Sequence, residues 1–575
     1  MTLDQILVLA VFASTILSLI FTTKSPALIF AVSVLSLLLL GILDSVHVLS
    51  NLSNKGLVIL VLLLLVSLAV DKSGLIKSLG RKLISEHYGK SLFKVLSLSF
   101  FSSALLNNTA VVSTLSGPIK HNNHIAPSKL LIPLSYAAIL GGTVTLIGTS
   151  TNLIVDSFLI EHGHPGFAFW DFTLYGLTAG IISCFVVFLC TWLLPEKANK
   201  QQLYKSYIIE AKVESGSPLV GKSVADNHLR NLPELFLVEI VRNKRLISPV
   251  TPEIVIEQHD KLIFSGNIER VDSLDHIKGL SFFADANGLL RENLTEVVVS
   301  NRSQLIGKTM KQVGFRSLFD AAVMAVRRDG EALSGKLGEI KLRAGDFLLL
   351  ATGNDFKNRN NINSNFFVLN ERRVNTKLKK WQDILAIGGF LIAIGLASFD
   401  LVGLDISLLC LLVTFIFSKN LSTNEVKRGL PLNLIVVIVG ALSLSTALEQ
   451  TGLIARFTQL IEPVLMSTTP FTALVLVYLT TLLLTELVTN NAAAALMFPF
   501  AYGVAQSLGL PIMPFALSVA FAASASFMSP YGYQTNLLVH SAGGYHTKDF
   551  IKIGLPISIT FSVIVLAMLK WQYGL

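Results

Sequence analysis

Two blocks of this chain, residues 3–194 and 384–575, are apolar at a density that water does not support. Runs such as 57–70, 181–194 and 557–569 are nearly uniformly apolar, and with their neighbours they reach the roughly 20 residues a helix needs to cross a bilayer core. With 52% hydrophobic and 14% charged residues over 575 positions, the chain lies outside the usual globular range. The sequence therefore predicts a polytopic α-helical membrane protein. The segment 6–21 has neither a basic leader nor a small-residue cleavage site, and reads as the first membrane helix rather than a removed signal.

A formal charge of +9 would suit nucleic acid, but the basic residues sit in short clusters beside apolar segments, as cytoplasmic loops of membrane proteins do. Nucleic acid is therefore not an expected partner. The cysteines, Cys184, Cys190 and Cys410, lie inside apolar runs without metal-ligand or redox spacing. They read as packing residues, and no transition-metal site is expected.

The first block reads as spanning segments near 4–22, 26–43 and 55–70, followed by a basic amphipathic stretch 71–90 suited to an interfacial helix on anionic lipid. Next come 92–119, interrupted by Asn107-Asn108-Thr109; 128–160, interrupted by Gly148-Thr149-Ser150-Thr151-Asn152; and 173–194. The last block repeats this order as 383–398, 404–418, 431–447, amphipathic 449–467, interrupted 470–500, interrupted 513–540, and 553–570. Residue matches support the repeat: Gly74-Leu75-Ile76 recurs as Gly452-Leu453-Ile454, and Asp171-Phe172 as Asp549-Phe550, both 378 positions on.

If each interrupted stretch with a polar tip is a re-entrant hairpin, a half makes about five crossings, and an odd number inverts the second half. Basic residues such as Lys72, Lys129, Lys380 and Lys427 then share one side, and the acidic loops 161–171 and 399–405 the other. The middle block is expected in the cytoplasm and both termini outside, as in a bacterial-type inner membrane.

The middle block, 195–380, has its own repeat. Leu219-Val220-Gly221-Lys222-Ser223 answers Leu305-Ile306-Gly307-Lys308-Thr309, and Asp260-Lys261-Leu262 answers Asp346-Phe347-Leu348, each at a shift of 86. Alternating apolar runs predict short strands in two tandem α+β domains. The expected division is 1–195, first membrane repeat; 206–288 and 291–372, the two inserted domains; 380–575, second membrane repeat.

Gly216–Ser223 fits the phosphate-loop pattern formally, but the sister copy has Arg302 in place of the first glycine. The shared element is a Gly-Lys-Ser/Thr turn, which argues against nucleotide hydrolysis, and no enzymatic activity is expected. His162 and His164 read as solvated loop residues, and Asp156 as a cap or loop contact.

The polar interruptions carry the chemistry. Unwound backbone inside a membrane is tolerated where it is buried or lines a polar cavity, and half-helix ends offer carbonyls to cations and amides to anions. A single Asn would read as interhelical hydrogen-bonding glue; four interruptions paired between two halves read as sites. Glu486, beside Thr485 in the second hairpin, is an isolated carboxylate of a kind expected to be functional, assisting ion coupling or proton exchange, or else a structural hydrogen-bonded acid.

With tips reading Asn107-Asn108-Thr109 and Thr489-Asn490-Asn491, the two halves resemble the divalent-anion/sodium symporters, whose hairpins carry a Ser-Asn-Thr motif. The inserted copies are similar to the C-terminal ligand-binding domain of TrkA-type potassium-uptake regulators. The resemblance implies one sodium site at Ser103, Asn107, Asn108 and the Gly148 backbone, and another at Thr485, Thr489, Asn491 and the Gly532 backbone. It places substrate near Asn108, Thr109, Thr151, Asn152, Asn490, Asn491, Gln534, Thr535 and Asn536. It further implies sodium-coupled symport of a small divalent oxyanion, sulfate before dicarboxylate, by a homodimer with an elevator motion, and a cytoplasmic nucleotide or other small regulatory ligand. A cation/proton antiporter using Glu486 and Asp156, and an ion channel gated by the inserted domains, stay open as alternatives.

Overall fold

In the computed structural model the described residues are 1–22, 24–73, 83–120, 122, 124–196, 208–227, 229, 235–243, 245–247, 249–266, 280–283, 294–300, 303–328, 331–333, 337–353, 355–356, 359, 361–369, 379–399, 401–456 and 469–575. Of the expected amphipathic stretches 71–90 and 449–467, residues 74–82 and 457–467 lie outside them.

The first block folds into α1 (Leu3–Phe21), α2 (Pro26–Leu39), α3 (Ser45–Leu52), α4 (Lys55–Lys72), α5 (Tyr88–Ser103), α6 (Asn108–Lys120), α7 (Leu131–Gly142), α8 (Ser150–Glu161) and α9 (Thr173–Cys190). The last block gives α10 (Lys380–Ser398), α11 (Leu404–Phe417), α12 (Thr423–Gly429), α13 (Leu432–Gln450), α14 (Pro470–Leu487), α15 (Asn490–Ser507), α16 (Ile512–Ser524), α17 (Gln534–Gly543) and α18 (Thr547–Tyr573). Element for element, the order recurs. Six described helices are long and apolar enough to cross a membrane, or seven if α3 and α4, bent by 43°, count as one.

The expected span 26–43 is shorter than read. Helix α2 stops at Leu39 and Gly41 turns the chain at φ +68°, before α3 begins on a new axis. Polar residues between Asp44 and Asn54 prevent one continuous apolar rod, while the Asn54 side chain caps α4 by accepting from the amides of Gly56 and Leu57. Exposed Leu17, Leu35, Phe185 and Phe417 face outward, and all four tryptophans, Trp170, Trp192, Trp381 and Trp571, lie exposed at or near helix ends, the position of an aromatic belt.

The blocks interlock rather than stand side by side. Helix α2 packs on α13, α11 on α4, α9 on α18, α8 on α15 and α16, and α17 on α6 and α7. Glycines permit the closest approaches: a Cβ on Gly141 or Gly554 would strike the backbone of Phe100 or Phe527.

Between the blocks stand two five-stranded antiparallel sheets. The first uses β1 (Ile208–Val213), β2 (Leu235–Arg242), β3 (Arg245–Ile247), β4 (Lys261–Gly266) and β5 (Leu280–Phe283) in order β3-β2-β4-β1-β5. The second uses β6 (Leu294–Val299), β7 (Ala321–Arg328), β8 (Glu331–Leu333), β9 (Phe347–Thr352) and β10 (Phe366–Val368) in order β10-β6-β9-β7-β8. The shift of 86 seen in sequence extends to register: Ala211 opposes Leu262 as Val297 opposes Leu348, and a bulge between Leu237 and Glu239 recurs between Val323 and Ala325.

Gly221 and Gly307 sit at φ +83° and +78°, and their amides donate to the Ile256 and Leu342 carbonyls. The phosphate-loop likeness is thus a left-handed turn that glycine adopts without strain. A forked ion pair also recurs, with Arg242 gripping buried Asp260 at 2.9 and 2.8 Å and Arg328 gripping buried Asp346 at 2.8 Å twice. Asp260 holds the Arg242 guanidinium above its ordinary pKa. Because Asp260 also accepts from the Glu257 amide, Asp260→Ala should remove about 2 kcal/mol of stability. Thermal unfolding of the purified protein should record this as a lower first transition, and an unshifted melt would refute it.

Candidate functional site

Each helix break within an apolar block has to satisfy its own backbone, and the side chains doing so define the site. At the first tip, Asn107 Oδ1 accepts from the Thr109 amide at 2.9 Å and so caps α6. Asn108 Oδ1 accepts from Ser103 Oγ at 2.5 Å, and an ideal Cβ on Gly142 would lie 2.6 Å from the same oxygen. Gly148 in turn packs against the Gly142 carbonyl so closely that a Cβ has no room. Ser103, Asn108, Gly142 and Gly148 therefore bring neutral oxygens together, a donor set suited to a hard monovalent cation.

In the second half, Thr485 Oγ1 donates to the Ala523 carbonyl at 2.7 Å, and a Cβ on Gly532 would lie 2.6 Å from the Thr485 carbonyl and against Ser526 Oγ. Thr485, Ser526 and Gly532 gather there. Ser526 was missed in the sequence, hidden in the small-residue run 522–526. Thr489 is the N-cap of α15, and its side chain makes no capping bond. Asn491 does not join Thr485: its Oδ1 accepts from Ser150 Oγ, 2.7 Å away, at the start of α8 in the other half.

Glu486 is the one acid in these breaks, and its carboxylate is engaged. Oε1 accepts from the Phe527 and Met528 amides, each at 3.0 Å, and Ser526 Oγ lies 3.4 Å from Oε2. It ties the end of α14 to the segment that follows α16. In the first half Ala104, just past α5, offers its carbonyl to Thr145 Oγ1 at 2.6 Å, which ties the corresponding segments without a charge.

The tips cross between halves. Thr109 Oγ1 points to Gln534 Oε1 at 3.4 Å, as Asn491 meets Ser150, and Asn108 Nδ2 donates to the Tyr533 hydroxyl at 2.6 Å. Tyr533 continues to Thr149 at 3.1 Å, and Thr149 to Thr151 at 3.2 Å.

A cavity of about 570 Å³ opens on the second tip and is lined there by Thr489, Asn490, Asn491, Gly532 and Gln534. Of the expected substrate residues, Asn490, Asn491 and Gln534 face it, whereas Asn108 and Thr109 do not line it. Thr151, Asn152, Thr535 and Asn536 are fully buried in packing instead. Thr151 pairs with Ser524 Oγ at 2.6 Å; Asn152 donates to the Thr145 carbonyl at 3.0 Å; Asn536 donates to the Ser526 carbonyl at 2.8 Å; and Thr535 accepts from Ser135 at 2.9 Å. Each of them bonds a protein group in this structure, an arrangement the sequence pattern does not separate from lining a cavity.

The remaining polar candidates are also structural. Asp156 Oδ1 accepts from the Phe167 amide at 2.7 Å, a loop contact as expected. His162 is not solvated: its ring packs on Tyr502 and its Nε2 lies 2.5 Å from Glu449 Oε1. No cluster of three or more His, Cys, Asp or Glu suited to a metal occurs among the described residues.

Comparison with known proteins places the chain in a family. The model of a family described as "Citrate transporter" matches residues 7–519. The chain belongs to the citrate transporter family. It is similar to an uncharacterized transporter of Synechocystis, 31% identical over 94% of this chain and 92% of that protein. It is also similar to a putative sulfur deprivation response regulator of Chlamydomonas reinhardtii, 29% identical over 93% and 96% of the two chains. Sodium/sulfate cotransporter 1 of the same alga is 27% identical over 64% of this chain and 43% of its own length. As a citrate transporter family member with several apolar spans, the chain is an integral membrane transporter and not an enzyme.

Within that family frame, the Glu486 geometry gives a defined expectation. Glu486→Ala leaves two buried amides without an acceptor and should cost about 2–3 kcal/mol, lowering melting temperature and uptake together. Glu486→Gln keeps one acceptor oxygen and should hold uptake within a few-fold of wild type. Uptake measured across pH checks this, and a shifted pH profile in the Gln variant would reassign Glu486 to proton carriage.

Proposed function

We propose that this protein is a sodium-coupled symporter of a small divalent oxyanion, sulfate first and a dicarboxylate second. The observation that carries the reading is the pair of neutral-oxygen gatherings at the hairpin breaks, Ser103 with Asn108, Gly142 and Gly148, and Thr485 with Ser526 and Gly532. Sodium is the co-transported cargo. Its charge, held at both breaks, offsets that of an anion presented to the Asn490 and Asn491 side chains and to Gln534. Similarity to proteins named sodium/sulfate cotransporters supports sodium and sulfate as the first pair to test.

The reading includes the division into membrane repeats 1–195 and 380–575 with inserted domains 206–288 and 291–372. The second repeat would be inverted, the inserted domains TrkA-like and cytoplasmic, both termini outside, and the working unit a homodimer moving by an elevator motion. The recurrence of helix order and the crossed tip contacts support an internal two-fold relation. A proton antiporter is favoured less, because Glu486 and Asp156 both hold backbone amides.

Proteoliposome uptake of labelled sulfate, succinate and citrate under imposed sodium or proton gradients tests the whole reading. Sulfate uptake should rise with inward sodium and not with a proton gradient alone; sodium-independent uptake, or none of the three anions, would overturn it. Removing the Ser103 and Tyr533 partners through Asn108→Ala should cut sodium-driven flux by about tenfold or more, as loss of roughly 1.4 kcal/mol or more at the cation site requires. The sodium dependence of the initial rate measures that loss.

A further inference from the structure

The cavity on the second tip is not closed by membrane helices alone. Its far wall is the second inserted domain, which presents Arg328 and the 341–346 turn, while Lys24 joins from the α1–α2 connection. That domain is seated on the hairpin and broken-helix elements. Lys120 at the end of α6 pairs with Glu296 on β6; Ser541 on α17 donates its hydroxyl to the Gly345 carbonyl; Arg327 donates to the Ser541 carbonyl. The Phe347 ring lies 4.5 Å from the Arg327 guanidinium and 5.5 Å from the Lys120 ammonium.

The charged lining is one-sided. Four cations, Lys24, Arg328, Lys341 and Arg343, face one carboxylate, Asp346, and Arg328 already holds that carboxylate through two 2.8 Å bonds. Lys24, Lys341 and Arg343 are exposed, with no ion pair to another described residue. Cations over a narrow polar cavity with apolar walls raise the local concentration of anions.

The first inserted domain supplies an internal control. Positions 86 earlier than Arg328 and Asp346 are Arg242 and Asp260, the same structural pair, so that pair belongs to the fold of both copies. Positions 86 earlier than Lys341 and Arg343 are Val255 and Glu257, and Glu257 is itself paired to Arg242. The two cations appear only in the copy that walls the cavity. The seating contacts differ in the same way: Gly345, where a Cβ would lie 2.7 Å from Leu537 Cδ1, replaces His259, and Arg327 replaces Val241.

We infer that Lys341 and Arg343 of the second inserted domain, with Lys24, form an oxyanion-binding mouth through which the transported anion reaches or leaves the tip cavity. This deepens the oxyanion-symporter reading and rests on it. The inserted domain then supplies part of the substrate path, and the anion meets Lys341 and Arg343 before Asn490, Asn491 and Gln534. No residue of the hairpin breaks changes role.

The test uses full-length protein in proteoliposomes, with sulfate flux started from the face bearing the inserted domains and from the opposite face in parallel. Both side chains are exposed, so Lys341→Gln with Arg343→Gln leaves folding intact, and Lys222→Gln in the first domain is the control for loss of an exposed cation away from the cavity. At low ionic strength the double variant should raise sulfate KM from the inserted-domain face roughly five- to tenfold with unchanged kcat, a difference that disappears at high salt. KM from the opposite face and for the Lys222 variant should match wild type. An unchanged KM in the double variant, or a rise that persists at high salt, overturns this inference alone. A wild-type protein that moves sulfate, succinate and citrate from neither face overturns it together with the symporter reading.

Discussion

Everything in this molecule depends on one constraint: a helix broken inside an apolar block must find partners for the amides and carbonyls that the break releases. The first break is held by Thr145 on the Ala104 carbonyl and by Asn152 on the Thr145 carbonyl. The second is held by Glu486 on the Phe527 and Met528 amides and by Asn536 on the Ser526 carbonyl. Once these bonds fix the breaks, small residues can close around them. Gly142, Gly148 and Gly532 each sit where a Cβ would collide with an oxygen, so the oxygens are brought together without charge.

This arrangement explains why the two halves are alike in plan and different in chemistry. Both tie the end of one helix to the segment that follows another, the first with a hydroxyl to a carbonyl, the second with a carboxylate to two amides. A carboxylate bonded to backbone amides is strongly oriented. Crossed contacts from Thr109 to Gln534 and from Asn491 to Ser150 then make each tip depend on the opposite half.

The inserted sheets show the same separation of shared frame from local function. The register, the bulge, the glycine turn and the Arg–Asp fork are common to both copies. Only the second copy carries the cations and the seating residues at the membrane cavity. Duplication gave one structural unit twice, and contact with the hairpin elements distinguishes the two.

The sequence by itself determined a membrane fold, two blocks with recurring order, paired polar interruptions and a middle repeat at a shift of 86, because bilayer solvation and strand alternation leave periodic marks in the chain. It also separated the Gly-Lys-Ser/Thr turn from a phosphate loop, by comparing one copy with the other. Tertiary structure alone decided which polar residues at a break face a cavity and which lock the backbone. Asn107, Asn152 and Asn536 bond backbone groups, and Thr151 and Thr535 bond other hydroxyls, yet they carry the same kind of side chain as Asn490 and Asn491 at the cavity, and one-dimensional spacing does not record which group lies within about 3 Å of an amide or hydroxyl. Ser526 and the wall formed by Lys341 and Arg343 were invisible for the same reason: they reach the site from segments that only folding brings near it.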